Sequence, residues 1–476
     1  MIKIEPLDFS VIDSLPMPDE VSVAQRLDAA FADFNKKIVV LDDDPTGTQT
    51  VHGVPVYTDW SVQSLADGFA EEGTMFFILT NSRSFSAEHT AAVHREIAEN
   101  LAAAASCCGK DFLLISRGDS TLRGHFPLET ATLRQTLEDL LEIRFDGEIL
   151  CPFFKEGGRY TLNNIHYVKE NRQLIPAGMT EFAQDKSFGY TASHLGLFVE
   201  EKSQGSYKAK DCIYITLEEL RNCQYETITE KLLSASGFAK LIVNAADYID
   251  LKVFTVCWLK AMHAGKHYIA RSAAPLTRVA GNISGRRLLT RQELIAPGCT
   301  AGGLVMVGSH VKKTTEQLNA LMQSEKNLCF LEFQAEGCEA GALSAESQRL
   351  LQLAKERLAQ KQTVVIYTPR RLITPDTEDR DKILKLSVDI SDAFTKIVAG
   401  LSLKPSFILA KGGITSSDIA TKGLSIRKAT VMGQIQKGIP VWMTGAESKF
   451  PHMPYIIFPG NVGDTLTLCD IVDSLV

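Results

Sequence analysis

The chain has 476 residues, a net charge of -7 and 45% hydrophobic residues, a composition typical of a globular protein. This length exceeds one ordinary hydrophobic core, so we expect at least two domains. The negative charge argues against a nucleic-acid-binding protein, and no apolar run reaches the length of a membrane span. The negative charge does not exclude anionic small molecules as ligands, because a few arginines in one cleft are enough to bind them.

The N-terminal segment and the cysteines indicate the compartment. Residues 1–20 are acidic and lack the apolar core of a secretory signal. The ten cysteines are scattered, and the sequence contains no Cys-x-x-Cys pair. We therefore interpret the cysteines as reduced thiols and predict a cytoplasmic protein.

The N-terminal half alternates short apolar strands with helices. Strands are predicted at residues 38–41, 75–79, 112–115, 149–151, 212–216, 240–244 and 267–271. Residues 160–210 are polar and weakly periodic, and we interpret them as a long irregular excursion over a site. The alternation of strands and helices predicts a parallel α/β sheet.

The second half repeats this pattern after a polar stretch, residues 282–301, that glycine and proline interrupt. Strands are predicted at residues 304–307, 328–332, 363–367 and 407–410, with further short apolar runs at 429–432, 439–443 and 455–458. We predict an α/β protein of two domains with mainly parallel sheets. The predicted domains are residues 1–290 and 291–476.

The strand at 38–41 runs directly into three carboxylates, Asp42, Asp43 and Asp44, and then into a Pro-Thr-Gly turn. Ligands of open α/β sheets gather at the carboxyl ends of the strands. Adjacent acids repel one another, so we expect an arginine, a metal ion or both close by. The alternative is a solvated acidic turn without a ligand.

Charged residues also follow the next two strands, with Arg83 in one turn and Asp119 and Arg123 in the other. Arginine suits a substrate carboxylate because its guanidinium makes two parallel charge-assisted hydrogen bonds. An aspartate beside such arginines stays ionised and can accept a hydroxyl proton. The same residues would also fit structural salt bridges.

Glycine turns follow three strands of the C-terminal half, at Gly308-Ser309, Lys411–Thr415 and Gly460–Asp464. Backbone N–H groups at strand-to-helix turns of this kind bind phosphate. Thr415 and Asp418 fit a capping box that would mark the helix start. Together the turns predict a nucleotide-binding domain; the alternative is that they are tight connections and nothing more.

A different chemistry shares part of this layout. Asp42-x-Asp44-x-Thr46 after a strand is the arrangement of haloacid-dehalogenase-like phosphatases, in which the first aspartate attacks phosphate. Those enzymes also need a lysine and a further acid pair in the same domain. The later turns of this sequence match that requirement poorly.

The motifs resemble the four-carbon acid sugar kinase family, which includes D-threonate, D-erythronate and 3-oxo-tetronate kinases. The most specific of them is Asp-Ser-Thr-Leu-Arg-Gly at residues 119–124. The full set comprises Asp43–Gly47, Asn81–Arg83, Asp119–Gly124, Pro152–Arg159, Thr180–Asp185, Ala270–Ala274, Gly308-Ser309, Gly412–Thr415 and Gly460–Asp464.

The resemblance implies an N-terminal domain for a sugar acid, a C-terminal domain for ATP, and a cleft between them. It implies transfer of the γ-phosphoryl group to a substrate hydroxyl, with Mg²⁺ on the triphosphate. Asp44 is our candidate general base, and Asp119 is the second candidate. The other implied substrate contacts are Asp43, Arg83, Arg123, Gly124 and Arg159. The implied nucleotide contacts are Ser309, Gly412, Gly413, Thr415, Gly460, Asn461 and Gly463.

The sequence departs from the family pattern at Pro45, His125 and Ile414. These departures leave open which acid is bound, its stereochemistry and the hydroxyl that is phosphorylated. Two other hypotheses stand beside the kinase: a phosphatase that uses Asp42, and a sugar-acid sensor without transfer activity. The sequence also leaves open which residues, if any, bind the metal and whether the chain forms a homo-oligomer.

Overall fold

The computed structural model describes residues 4–324, 326–334, 340–370 and 380–476. The chain divides into two compact units, the first with residues 1–47 and 59–284 and the second with residues 48–58 and 285–476. Residues 48–58, which the sequence division places in the first domain, fall within the second unit. None of the described helices is long and apolar enough to cross a bilayer.

The described residues form nineteen strands and sixteen α-helices. The strands are β1 (Leu7–Asp8), β2 (Lys37–Asp42), β3 (Val54–Tyr57), β4 (Met75–Leu79), β5 (Phe112–Arg117), β6 (Gly147–Cys151), β7 (Arg159–Leu162), β8 (Ile165–Glu170), β9 (Gln173–Pro176), β10 (Ile213–Ile215), β11 (Ala239–Val243), β12 (Tyr268–Ser272), β13 (Leu304–Val307), β14 (Leu328–Glu332), β15 (Thr363–Tyr367), β16 (Ile408–Lys411), β17 (Lys428–Gln436), β18 (Ile439–Thr444) and β19 (Pro454–Phe458). The helices are α1 (Ser10–Asp13), α2 (Glu20–Ala32), α3 (Val62–Ala70), α4 (Ala87–Cys108), α5 (Leu128–Leu141), α6 (Leu195–Lys202), α7 (Leu217–Arg221), α8 (Tyr225–Ser234), α9 (Tyr248–His263), α10 (Ala274–Ala280), α11 (Arg291–Leu294), α12 (Lys312–Met322), α13 (Ala340–Ala359), α14 (Arg380–Gly400), α15 (Gly413–Asp418) and α16 (Thr467–Leu475).

The main sheet of the first unit has the strand order β10-β11-β6-β12-β5-β2-β4, and each neighbouring pair in it is parallel. The strands β2 and β4 are buried along their whole length, as near-continuous apolar runs are in parallel sheets. Parallel strands place their carboxyl ends at one edge, so the turns after β12, β5, β2 and β4 lie side by side. The predicted parallel α/β sheet is confirmed.

A second sheet of the first unit is antiparallel, with the order β1-β9-β8-β7. The weakly periodic residues 160–210, for which no strand was predicted, therefore contain β8, β9 and most of β7. Asn163 and Asn164 adopt positive φ angles of 50° and 66° and form a two-residue hairpin loop between β7 and β8. Strands of four to six residues offer too few alternations for a period-2 pattern to stand out.

The sheet of the second unit has the order β3-β17-β18-β19-β16-β13-β15-β14. The pairs from β19 to β14 are parallel, whereas β3, β17, β18 and β19 pair antiparallel. Val54 of β3 lies opposite Val431 of β17, and Trp442 Nε1 donates to Thr48 Oγ1 over 3.0 Å. These contacts place residues 48–58 in the second unit.

Buried apolar side chains hold three neighbouring strands of this sheet in position. One cluster joins Val305, Leu409 and Ile456, from β13, β16 and β19, with Leu318 of α12 and Leu468 of α16. Burial of each such side chain contributes about 1.5–3 kcal/mol. The packing thereby fixes where the turns at the carboxyl ends of these strands lie.

Candidate substrate and nucleotide sites

Asp42, the last residue of β2, is buried within the first unit. Arg117 at the end of β5 donates from Nη1 to Asp42 Oδ1 over 3.1 Å. A Cβ atom on Gly47 would lie 2.0 Å from the Asp42 carboxylate, so the following turn closes directly over it. Burial outweighs the charge of Arg117 and raises the pKa of Asp42 to about 7. A carboxyl covered in this way is poorly placed to attack phosphate, which argues against the phosphatase hypothesis.

Asp43 is the shared acceptor of three arginines from different strand ends. Arg83 donates from Nη2 to Oδ1 over 2.5 Å and from Nε to Oδ2 over 3.2 Å. Arg117 Nη1 lies 3.5 Å from Oδ1, and Arg271 Nη2 lies 3.8 Å from Oδ2. Arginines therefore balance the repulsion within the acidic triplet, as the sequence predicts.

Asp44 is the most exposed carboxylate of the triplet, with 19% of its side chain accessible. Its Oδ1 accepts from the backbone N–H and the hydroxyl of Thr46, over 2.9 and 2.6 Å. Its Oδ2 has a longer contact, 3.5 Å, with Arg83 Nη1. Burial raises the pKa of Asp44, but Arg83 and Thr46 together hold it below its usual value. Asp44 is therefore ionised and keeps one weakly bound oxygen.

Asp119 and Arg123 form a second ion pair at the turn after β5. Arg123 Nε donates to Asp119 Oδ2 over 2.7 Å, and the Thr121 hydroxyl donates to the same oxygen. Burial would raise the pKa of Asp119, but Arg83 and Arg123 hold it well below its usual range. The other end of the Arg123 guanidinium lies 3.9 Å from Asp185 Oδ2, so this end is only loosely paired.

Arg159 shares an aromatic neighbour with Arg123. Both guanidinium groups lie over the ring of Phe182, at 5.4 and 5.1 Å from its centroid. Arg159 Nη1 donates to the carbonyl of Gly157, whereas its buried Nε has no hydrogen-bond partner among the described residues. Burial also lowers the pKa of Arg159, because the charge of Asp119 offsets only part of the cost of burying this guanidinium group.

Arg271 and Glu129 belong to the same network. Neither was a predicted site residue, although Arg271 lies in the Ala270–Ala274 motif. Arg271 Nη1 lies 2.6 Å from Glu129 Oε2 and donates to Ser116 Oγ over 2.8 Å. A Cβ atom on Gly118 or Gly124 would approach the Arg271 guanidinium to 2.3 or 2.8 Å. Only a sheet that sets β12 beside β5 reveals this contact. We call the whole set the carboxylate–arginine cluster: Asp42, Asp43, Asp44, Arg83, Arg117, Asp119, Arg123, Glu129 and Arg271.

Three glycine turns of the second unit lie together, because they follow the neighbouring strands β13, β16 and β19. A Cβ atom on Gly308 would lie 2.2 Å from Thr415 Oγ1. A Cβ atom on Gly412 would lie 3.2 Å from Ser309 N, and one on Gly460 would lie 2.6 Å from Ser309 Oγ. The structure thus brings Ser309, Gly412, Thr415 and Gly460 to one place.

Backbone hydrogen bonds hold these turns against one another. The N–H groups of Gly308 and Ser309 both donate to the carbonyl of Lys411 over 3.2 Å, and Gly412 N–H donates to Phe458 O over 2.8 Å. The Thr314 hydroxyl donates to Gly460 O over 3.0 Å. Gly413 is the first residue of α15, whose leading N–H groups have no partner within the helix.

The predicted capping box at this helix was wrong. The N-cap residue is Gly412, with a φ of 124°, and Thr415 lies inside α15 under Gly308. Asp418 instead accepts from Ser391 Oγ over 2.7 Å. Tertiary contacts therefore use the two side chains that local sequence assigned to the cap.

Asn461 and Gly463 lie further along the third turn. Asn461 is exposed, and Gly463 has a φ of 82°. A Cβ atom on Gly463 would lie 2.6 Å from Thr467 Oγ1, so this glycine packs on the start of α16. Gln317 of α12 donates to the carbonyls of Val462 and Asp464 over 3.1 and 2.6 Å.

Two cations lie beside the glycine turns: Arg370, which had no predicted role, and Lys411, which begins the predicted phosphate-binding turn Lys411–Thr415. Arg370 donates from Nη1 to Ser309 O over 2.8 Å and from Nε to Thr368 O over 3.0 Å. The buried Lys411 donates to Pro459 O over 3.1 Å, and its Nζ lies 3.4 Å from the centroid of the Phe458 ring. Burial, with a smaller contribution from Lys313, lowers the pKa of Lys411 to about 6.

The three departures from the family pattern have different surroundings. Pro45 begins a 3₁₀ turn directly after the acidic triplet. His125 Nε2 lies 3.0 Å from Phe85 O, and its ring packs edge-on against Phe188. Ile414 is 66% exposed beside the glycine turns, where it contributes no charge.

The donor sets were also tested against a metal ion. Within the described residues, no group of three or more His, Cys, Asp or Glu side chains is arranged to hold one. The carboxylates of the first unit are instead matched to arginines.

The fold and these sites define a two-domain α/β protein with a charged site in one unit and glycine turns in the other. Residues 38–280 match the family model of a sugar-binding N-terminal domain. Residues 304–468 match that of a nucleotide-binding C-terminal domain. Since the first match alone spans more than half of the chain, the protein belongs to this family of sugar-binding and nucleotide-binding domain proteins.

Solved structures share this fold at low sequence identity. A Salmonella typhimurium LT2 protein, provisionally named a tRNA synthase, is 15% identical, with a TM-score of 0.65 over 91% of this chain and 98% of its own. A Haemophilus influenzae protein of the family DUF1537 is 17% identical, with a TM-score of 0.60 over 91% and 99%. These likenesses confirm the α/β fold. No curated protein matches the sequence.

Proposed function

We propose that the protein is an ATP-dependent kinase that phosphorylates a hydroxyl of a small, four-carbon sugar acid. The matches to a sugar-binding and a nucleotide-binding domain support both ligand classes. The observation that carries the proposal is the ionised, partly exposed Asp44 in the same unit as Arg159, whose buried Nε has no hydrogen-bond partner among the described residues. Such a site fits a ligand that presents both a hydroxyl and a carboxylate.

Arg123 and Arg159 are the groups that would bind the substrate carboxylate. Their guanidinium groups lie over the same Phe182 ring, and each has donor atoms not committed to a close carboxylate. Arg83 and Arg271 are bound to Asp43 instead. An acid bound by Arg123 and Arg159 would supply the negative charge that this part of the unit lacks.

Asp44 is the better candidate for the general base, and Asp119 is the second. Asp44 Oδ2 has a single long contact with Arg83, while Asp119 Oδ2 already accepts from Arg123 and Thr121. The lowered pKa of Asp44 keeps it ionised at neutral pH, although it also weakens the carboxylate as a base. Phosphoryl transfer tolerates a weak base, because it depends mainly on positioning and charge stabilisation.

The glycine turns of the second unit are where ATP would bind. Ser309, Gly412, Gly413, Thr415 and Gly460 would lie against its phosphates. The donors would be the N–H groups at the start of α15 and the hydroxyls of Ser309 and Thr415, because the N–H groups of Ser309 and Gly412 are already bonded within the turns. Mg²⁺ bound to those phosphates would neutralise charge on the transferred group. In the first unit, Asp44 would orient the acceptor hydroxyl and accept its proton.

An ADP-release screen over four- and five-carbon sugar acids, with and without Mg²⁺, tests this function. We expect Asp44→Asn to lower kcat roughly 10²–10⁴-fold, because the variant cannot accept the proton. Asp28→Asn, on the exposed face of α2, is the matched control and should behave like the native protein.

The other outcomes of this screen would contradict the kinase. Ligand-dependent thermal shifts without ADP formation would indicate a sugar-acid-binding sensor. Phosphate release from a phosphorylated acid without nucleotide, lost in Asp42→Asn, would indicate a phosphatase. The cysteines within the described part of the chain are free thiols; a cytoplasmic location and a homo-oligomeric state stay predictions.

A further inference from the structure

A small cavity of about 20 Å³ lies in the first unit beside the proposed acid site. Asp119, Arg123, Arg271 and Ser272 contribute its polar lining. A volume of this size holds one water-sized group, such as a hydroxyl. The side chains of Asp119 and Arg123 are 12% and 24% exposed, so the cavity adjoins the residues that the substrate would reach.

Ser272 supplies an independent indication that a ligand group belongs in this cavity. It is the last residue of β12 and is 4% exposed. Its backbone carbonyl accepts from Gly118 N–H over 2.8 Å, which holds the residue in place. Its hydroxyl is buried and has no hydrogen-bond partner within the described part of the chain. A buried hydroxyl without a hydrogen-bond partner costs free energy. A ligand group that supplies this partner would therefore be favoured.

The charges around the cavity select a neutral group. Asp119 is ionised, which would repel a carboxylate or phosphate placed against it. The Arg271 guanidinium is already matched to Glu129 and Asp43. A hydroxyl fits this lining, because it can donate to the Asp119 carboxylate and accept from an arginine or a serine.

We propose that the cavity beside Ser272 binds one hydroxyl of the sugar acid and makes Ser272 a specificity-determining residue. This inference rests on the proposed function, because it takes a sugar acid as the ligand. Among the described residues, Asp44 is not part of the cavity lining. The hydroxyl at Ser272 is therefore a different one from the hydroxyl that is phosphorylated.

Isothermal titration of the full-length protein without nucleotide tests the subsite. The ligands are D-threonate and D-erythronate, each compared with its 2-deoxy and 3-deoxy analogues. In the native protein, one deoxy analogue should bind about 10–100-fold more weakly than its parent, because it leaves a buried polar group unpaired. In Ser272→Ala this ratio should fall at least about fivefold, since the partner of that hydroxyl is gone.

Two further variants separate recognition from folding. Ser272→Ala should keep or raise the Tm, because it removes a buried hydroxyl without a protein partner. Ser347→Ala is the control: its hydroxyl lies 2.8 and 2.7 Å from the carbonyl oxygens of Leu343 and Ala393 and donates to one of them. This control should lower the Tm and leave the affinity ratio unchanged. Ser272→Thr should weaken binding of the parent acid selectively, because its methyl group fills the cavity.

The results separate this inference from the kinase function. An unchanged ratio in Ser272→Ala, with acid-dependent ADP release intact in the native protein, would overturn the subsite and leave the kinase standing. That result would mean that the Ser272 hydroxyl binds a structural water only. Failure of every acid to bind or to stimulate ADP release would overturn the proposed function and the subsite together.

Discussion

Each unit has a candidate site at the carboxyl ends of its own parallel strands. The two sites are built from different atoms. In the first unit, charged side chains after β2, β4, β5 and β12 form the carboxylate–arginine cluster. In the second unit, glycine turns after β13, β16 and β19 bring backbone and small hydroxyls together. A site made of side chains fails when a charge loses its partner, whereas a site made of backbone fails when a side chain is added.

The largest effect is expected where a buried charge loses its main partner. Arg83→Ala removes both short hydrogen bonds to Asp43 and should lower the free energy of unfolding by about 3 kcal/mol. Urea unfolding measures this change. Lys208→Ala breaks an exposed pair with Glu200 and should cost less than about 1 kcal/mol. Equal losses in the two variants would mean that burial does not set the cost.

Arg123→Ala should weaken substrate binding, in addition to the stability lost when Asp119 loses its close partner. Its loosely paired end is proposed to hold the acid, so the KM for the acid should rise roughly 10–100-fold. The KM for ATP should stay as it is, because the nucleotide turns belong to the other unit. Steady-state kinetics with each substrate varied in turn separates the two values. A rise in the KM for ATP alone would contradict the carboxylate role.

Gly308→Ala tests the backbone site with a single methyl group. Its Cβ atom would lie 2.2 Å from Thr415 Oγ1, so the turns must shift. Overpacking of this kind costs about 1–3 kcal/mol, and we expect the KM for ATP to rise about tenfold with acid affinity unchanged. Gly73→Ala, whose nearest neighbour would be 4.0 Å away, is the control. If both variants bind ATP like the native protein, the turns do not form the nucleotide site.

The remaining prediction concerns the pH dependence of stability that the buried Lys411 causes. Its pKa is lowered to about 6 in the folded protein, against an ordinary value of 10.5. Between these values the unfolded chain binds a proton that the folded chain does not, so the stability of the native protein should rise with pH. Lys411→Met should lack this rise and should be the more stable protein at pH 7.

Urea unfolding of both proteins at pH 6, 8 and 10 measures the difference, and the advantage of Lys411→Met should shrink as the pH rises. Lys396→Met, at an exposed lysine of α14, is the control and should follow the native pH profile. Parallel curves for the native protein and Lys411→Met would mean that Lys411 titrates normally.

Much of this arrangement was predictable from sequence. The strand at 38–41 and the triplet after it placed Asp44 at a sheet edge, and the apolar runs located β4, β13 and β15 to the residue. What escaped prediction depends on contacts between distant segments. Glu129 carries no local signal, and the Ala270–Ala274 motif assigns Arg271 no partner, because their contact follows from β12 lying beside β5. The β7–β8 hairpin did leave a signal, the Asn-Asn pair, which was overlooked.

The amino-acid sequence by itself located the strands of the parallel sheets, because apolar runs and the turns after them are local properties. It thereby determined which residue types lie at the carboxyl ends of the strands: acids and arginines in the first unit, and glycines in the second. Only the tertiary structure decided which charges pair, that Asp42 is covered while Asp44 is accessible, and that β3 joins the second unit. Strand order and packing set these distances, and both arise from contacts between residues far apart in the chain.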